Sequence, residues 1–125
     1  MATVELTEQN FDGTVDHGIV LIDWWASWCG PCRAFAPTYE KASEQHPDLV
    51  FGKIDTDAQQ RLAGSFGIRA IPTLMVFRDG ILLFAQPGVL PAAALTELIG
   101  KVRALDMDDV RRQIAEAETT ERDAG

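Results

Sequence analysis

Short apolar runs alternate along this chain with stretches whose apolar residues recur every three or four positions. Val4 to Leu6 reads as a brief strand. Thr7 is placed to cap a helix reaching about Asp16, with Phe11 and Val15 four apart on its inner face and Gly18 at its end. Ile19-Val20-Leu21-Ile22-Asp23-Trp24-Trp25 is almost continuously apolar and rich in β-branched and aromatic residues, which predicts a central strand buried on both faces. A helix follows from about Pro31 to Gln45, with Pro37 expected to kink it. Leu49 to Ile54 predicts a strand, and Ala58 to Phe66 a short helix closed by Gly67. Thr73 to Phe77 and Ile81 to Ala85 alternate around Arg78-Asp79-Gly80, a hairpin signal. From about Pro91, residues Leu95, Leu98, Ile99, Val102 and Leu105 stand at helical core spacing. Strands alternating with helices and closing on a hairpin and a helix predict an α/β sandwich over a mixed sheet.

Length and charge narrow the partners. A chain of 125 residues suits one domain with one sizeable core, and 46% apolar with 24% charged residues is a globular balance. A net charge of -8 argues against nucleic acid and anionic membrane, since both recruit Lys and Arg. No apolar run approaches the roughly 20 residues of a membrane span. Met1 to Glu8 shows no basic segment followed by an apolar one, so a secretory signal is not expected. The expected setting is the cytoplasm, where a cysteine pair is catalytic or metal-binding more often than structural.

Both cysteines lie in Trp28-Cys29-Gly30-Pro31-Cys32. A disulfide across so short a loop constrains the unfolded chain very little, so reversible chemistry is the better reason for it. Cys29 falls where the central strand gives way to a helix. There, unsatisfied N–H groups and the helix dipole favour a thiolate, Cys32 at i+3 can donate to it, and the missing N–H of Pro31 costs nothing. Cys29 is therefore the candidate nucleophile, expected to be exposed, and Cys32 the resolving thiol. Asp23 sits inside the apolar strand, where desolvation raises a carboxyl pKa towards neutrality. It can take a proton from Cys32 and return it, with Lys53 on the neighbouring strand segment tuning it. The alternative is an Asp23 that points outward or forms a structural ion pair with Lys53. In Ile71-Pro72-Thr73, a proline entering a strand belongs at its first position or at an edge. A cis bond there would turn the chain and present the backbone of Ile71 to an extended substrate, and the residues leave cis or trans open. A structural zinc site needs four ligands, and only His17 and His46 remain, neither at ligand spacing; both are expected at the surface.

Asp23 to Cys32, Lys53-Ile54-Asp55, Gly67-Ile68-Arg69-Ala70-Ile71-Pro72-Thr73 and Asp79-Gly80 resemble the thioredoxin family in order and spacing, over about Val4 to Leu105. The resemblance implies a thioredoxin-like three-layer α/β/α sandwich with a central mixed sheet, acting in dithiol–disulfide exchange. It implies Asp23 as buried acid/base with Lys53 beside it, a cis Pro72, and a substrate surface of Trp28, Gly30, Pro31, Ile71 and Gly88. It also implies electrons from a separate NADPH-dependent thioredoxin reductase, and disulfide-containing proteins as substrates. The chain carries no glycine-rich dinucleotide motif, so no bound cofactor is expected beyond a reversible Cys29–Cys32 disulfide. Gly30-Pro31 resembles the reducing members rather than oxidants or isomerases, and a non-enzymatic role in assembly is the remaining alternative. Three positions depart from the family's usual residues: Trp24 for Phe, Arg33 for Lys, and Pro87 before Gly88 for an aliphatic residue.

The resemblance ends near Leu105, which divides the chain into a domain over residues 1–105 and an extension over 106–125. Asp106 can cap a helix from Met107 to about Ala117, with Met107, Val110, Ile114 and Ala117 on one face and Thr119 to Gly125 expected to be disordered. The resemblance places Ile81 to Ala85 at the sheet edge, where so apolar a strand invites association. The expectation is that the added helix folds back over Leu82 or Phe84; an exposed acidic tail is the alternative. A monomer is expected, with weak dimerisation as the variant outcome.

Overall fold

The computed structural model describes residues 2–124. Its five strands are β1 (Thr3–Glu5), β2 (Ile19–Trp25), β3 (Val50–Asp55), β4 (Thr73–Arg78) and β5 (Ile81–Pro87), in the order β1-β3-β2-β4-β5. The strand β2 runs parallel to β3 and antiparallel to β4, so the most apolar segment of the chain occupies the middle of a mixed sheet. The helices are α1 (Phe11–Val15), α2 (Gly30–Gln45), α3 (Gln60–Ser65), α4 (Ala92–Ala104) and α5 (Met107–Ala124).

Alternation along β2 sends neighbouring side chains to opposite layers. Val20, Ile22 and Trp24 pack with Phe11, Val15 and Ala63 from α1 and α3. Leu21 packs with Phe35 and Tyr39 of α2 and with Leu95, Ile99 and Val102 of α4. Asp23 shares the parity of Leu21 and so faces the α2/α4 layer, in register with Lys53 on one side and Leu74 on the other.

Gly52 on β3 illustrates how closely these layers fit. An added Cβ there would come within 2.5 Å of Leu6 Cδ1, while the Gly52 carbonyl accepts a 2.8 Å hydrogen bond from the buried Tyr39 hydroxyl. Gly52→Ala is expected to lower stability by about 1–3 kcal/mol in urea unfolding, because Leu6 must leave its rotamer. An unchanged midpoint would show that Leu6 has room to move.

The β4–β5 turn is made by Asp79 (φ 53°) and Gly80 (φ 80°), both left-handed as a two-residue hairpin turn requires. Asp79 also accepts from Gly18 N at 2.9 Å and donates to Gly18 O at 3.0 Å, tying the hairpin to the entry of β2.

Several expectations need correction. Thr7 does not cap α1; its hydroxyl accepts from Gln9 N within a turn, Asn10 Oδ1 accepts from Thr7 N, and the helix starts only at Phe11. Side-chain to backbone bonds of this kind compete with helix, and here they hold Thr7 to Asn10 in a turn instead. The added helix is capped by Asp106, whose Oδ1 accepts from Asp108 N and Asp109 N, and it runs to Ala124 across residues expected to be disordered; Gly125 lies outside the described residues. It does not shield Leu82, which stays 42% exposed on the edge strand, while Phe84 packs against the α2/α4 core. The cause is Arg78, which donates to the carbonyls of Val102 and Leu105 and so fixes the α4–α5 junction beside the hairpin. From there Met107 is buried and Arg111 pairs with Asp79 at 3.3 Å, whereas Ile114 further along is exposed.

Candidate active site

The chain leaves β2 at Trp25 and enters α2 at Gly30, and this short passage sets the chemistry. Cys29 is the N-cap of α2, in extended conformation, and its Sγ accepts a hydrogen bond from Cys32 N at 3.2 Å. Pro31 fills the first turn, where no donor is needed. Cys29 and Cys32 are joined by a disulfide with their Cα atoms 5.2 Å apart. A sulfur held at a helix N-terminus and already accepting an amide N–H is poised to carry negative charge once reduced.

Against the expectation of an exposed Cys29, only 4% of the residue meets solvent. Trp25, Ala26 and Ile71 pack around the cysteine pair, and the Ile71 carbonyl oxygen lies 3.7 Å from Cys29 Sγ. Trp28, beside it in sequence, is 67% exposed and donates from Nε1 to Asp57 Oδ2 at 2.9 Å. Gly30 and Pro31 are also exposed.

The Ile71–Pro72 peptide is cis, and it brings the loop before β4 against the cysteines. Pro72 O accepts from Gly88 N at 2.8 Å, which draws the turn after β5 to the same rim. Gly88 has φ +104°, a conformation that L side chains rarely adopt, so this turn favours glycine. Ile71 and Gly88 are thereby gathered with the cysteine loop; Pro87 is the last residue of β5, paired with Thr73.

Asp23 is 1% exposed, so it does not point outward. Neither carboxylate oxygen has a hydrogen-bond partner. Burial pushes its pKa up from 3.8 to about 7, against a smaller lowering by the charge of Lys53. The structural ion pair with Lys53 does not form: the ammonium sits 4.8 Å from the centre of the Trp25 ring. The nearby Tyr39 hydroxyl is buried, donates to Gly52 O, and is pushed well above its ordinary pKa chiefly by desolvation. It stays neutral while Asp23 titrates.

Asp57, the partner of Trp28, is a candidate site residue that sequence reasoning missed. Its only signal is position, in the loop after β3 at the carboxyl end of a strand, where open α/β sheets carry their sites. Of the histidines, His17 is exposed beside Asp16 as expected. His46 is half-buried rather than at the surface, stacked on Phe51 with Arg103 Nη2 3.3 Å from Nδ1. Among the described residues no three His, Cys, Asp or Glu side chains converge as metal ligands. No helix among them is long and apolar enough to cross a membrane.

A family model described as Thioredoxin matches residues 2–101. A putative thioredoxin 2 of Streptomyces coelicolor is 63% identical over 116 residues, covering 92% of this chain and 87% of that protein. That stretch is too long to fit within residues 1–105, so the likeness reaches into α5. A thioredoxin of Bacillus subtilis is 43% identical over 102 residues, covering 81% of this chain and 98% of the relative. Among solved structures, a single-substitution mutant of a thioredoxin from Halobacterium salinarum matches with a TM-score of 0.76 at 35% identity, covering 83% of this chain and 93% of that one.

Proposed function

Since this chain belongs to the thioredoxin family, we propose that it works as a protein-disulfide reductase in which Cys29 attacks, Cys32 resolves and Asp23 carries the proton. Its fold is the thioredoxin fold with α5 appended. Its activity is thioredoxin-type dithiol–disulfide exchange at the Cys29–Cys32 pair. The catalytic unit in this reading is residues 1–105, and 106–125 is an extension outside the chemistry.

In the reduced protein the Cys29 thiolate attacks one sulfur of a substrate disulfide. A Cys29–substrate disulfide forms, the substrate S–S bond breaks, and the departing thiolate takes a proton from solvent. The Cys32 thiol then gives its proton to the Asp23 carboxylate and attacks Cys29 Sγ. The mixed disulfide breaks, the second substrate thiolate leaves and is protonated, and two electrons have passed to the substrate. A separate NADPH-dependent reductase, acting as dithiol donor, runs the same steps backwards and resupplies them. Lys53 moderates Asp23 by its charge. Substrate segments lie along Ile71 and the cis Pro72, bordered by Trp28, Gly30, Pro31 and Gly88, and the protein acts as a monomer in the cytoplasm.

The observation that carries this reading is the placement of Cys29 Sγ, capping α2 at 3.2 Å from Cys32 N and facing the Ile71 carbonyl at 3.7 Å. Insulin reduction in the presence of NADPH and a bacterial thioredoxin reductase tests it. The expected result is NADPH oxidation that requires this protein and matches the insulin disulfides reduced. A protein reducible by dithiothreitol but inert with every reductase would point instead to an oxidant or an assembly role.

A further inference from the structure

Asp23 and Lys53 are register partners on adjacent parallel strands, and strand alternation turns both towards one layer. Across one strand spacing a lysine stem is long enough to bring its ammonium to the carboxylate, and an ion pair is the ordinary outcome for so buried an acid. Yet both oxygens of Asp23 lack a partner, and Lys53 Nζ lies over the Trp25 ring instead. Trp25 is two residues beyond Asp23 on the same strand and face, and its ring also packs against the cysteine pair.

We infer that Trp25 is a positioning residue: its ring face holds the Lys53 ammonium away from Asp23 and so keeps the carboxylate unpartnered and free to take a proton. The inference rests on Asp23 being the proton carrier. An ion-paired carboxylate is a weaker base than a free one, so releasing Lys53 onto Asp23 weakens the acceptor that Cys32 needs. The other groups facing Asp23 do not take the place of Lys53. From α2 comes the neutral Tyr39, with Glu40 acting on Tyr39, and on β4 the register partner is Leu74.

The test is a carbon-13 NMR titration of the Asp23 carboxyl in the full chain, for wild type, Trp25→Leu, Lys53→Met and the double variant. In wild type the midpoint is expected near 7; a midpoint near the ordinary carboxylate value would defeat the proton-carrier reading itself, separately from Trp25. Trp25→Leu is expected to lower the midpoint by about one pH unit, a tenfold gain in acidity. In the Lys53→Met background the same change is expected to leave the midpoint within about 0.3 unit. An equal drop in both backgrounds would overturn the inference, because the ring would then act only by excluding water. No drop with Lys53 present would overturn it as well. If Trp25→Leu fails to fold, Trp25→Phe replaces it, with a weaker ring face and a smaller drop that again must vanish without Lys53.

Discussion

The Cys29→Ser protein is expected to reduce insulin no faster than the background, a loss of roughly 10⁴-fold or more. The fold should survive the change. Cys29 is an N-cap residue, serine is a preferred N-cap, and one buried sulfur is exchanged for a smaller oxygen at a site already accepting Cys32 N. The chemistry cannot survive it, since a hydroxyl ionises far above neutral pH and forms no disulfide with the substrate. Cys32→Ser should fail differently. Attack by Cys29 continues, the mixed disulfide forms, and turnover stops because no thiol resolves it. A coupled NADPH assay on both variants checks this, and more than about a tenth of wild-type activity in Cys29→Ser would remove Cys29 from its role.

Asp23→Asn is expected to stabilise the reduced and the oxidised protein at pH 8 while slowing turnover. A carboxyl whose pKa rises from 3.8 in the unfolded chain to about 7 in the fold binds a proton in the native state that the unfolded state has lost. Stability is therefore greatest at acid pH, declines as pH rises from about 4 to about 7, and stays low above that. A shift of about 3 units corresponds to about 4 kcal/mol of native-state destabilisation at pH 8. Asparagine stays neutral at every pH, so the gain in urea unfolding should approach that figure at pH 8 and vanish near pH 4. Loss of the base should slow the Cys32 step by about 10²–10⁴-fold. A stability gain independent of pH would mean that the carboxylate is not what burial penalises.

The strands and the first cysteine turn were legible because their signals are local. An unbroken apolar run marked β2, and Asp79-Gly80 between alternating runs marked the hairpin with its two left-handed residues. The cysteine at the start of α2 could be read because strand end, cap and first-turn proline are contiguous. Contacts set by register were not legible. The Lys53–Trp25 contact depends on how β3 lies beside β2, and Trp28–Asp57 on where the loop after β3 comes to rest. Asp23 showed itself as a buried acid, but only the sheet shows that its neighbour's ammonium is occupied elsewhere. At the other end of the molecule, the apolar spacing of α5 suggested a return over the edge strand. Arg78 sets the junction before α5 begins, so periodicity alone could not say which surface its first turn meets.

The order of the two sulfurs, Cys29 attacking and Cys32 resolving, can be read by mass spectrometry of the Cys32→Ser protein mixed in its reduced form with insulin. The expected product is a protein carrying one insulin molecule through a disulfide at the Cys29 peptide, with no matching adduct on the Cys29→Ser protein. An adduct forming at Cys32 of the Cys29→Ser protein as fast, or no adduct at Cys29 at all, would contradict it.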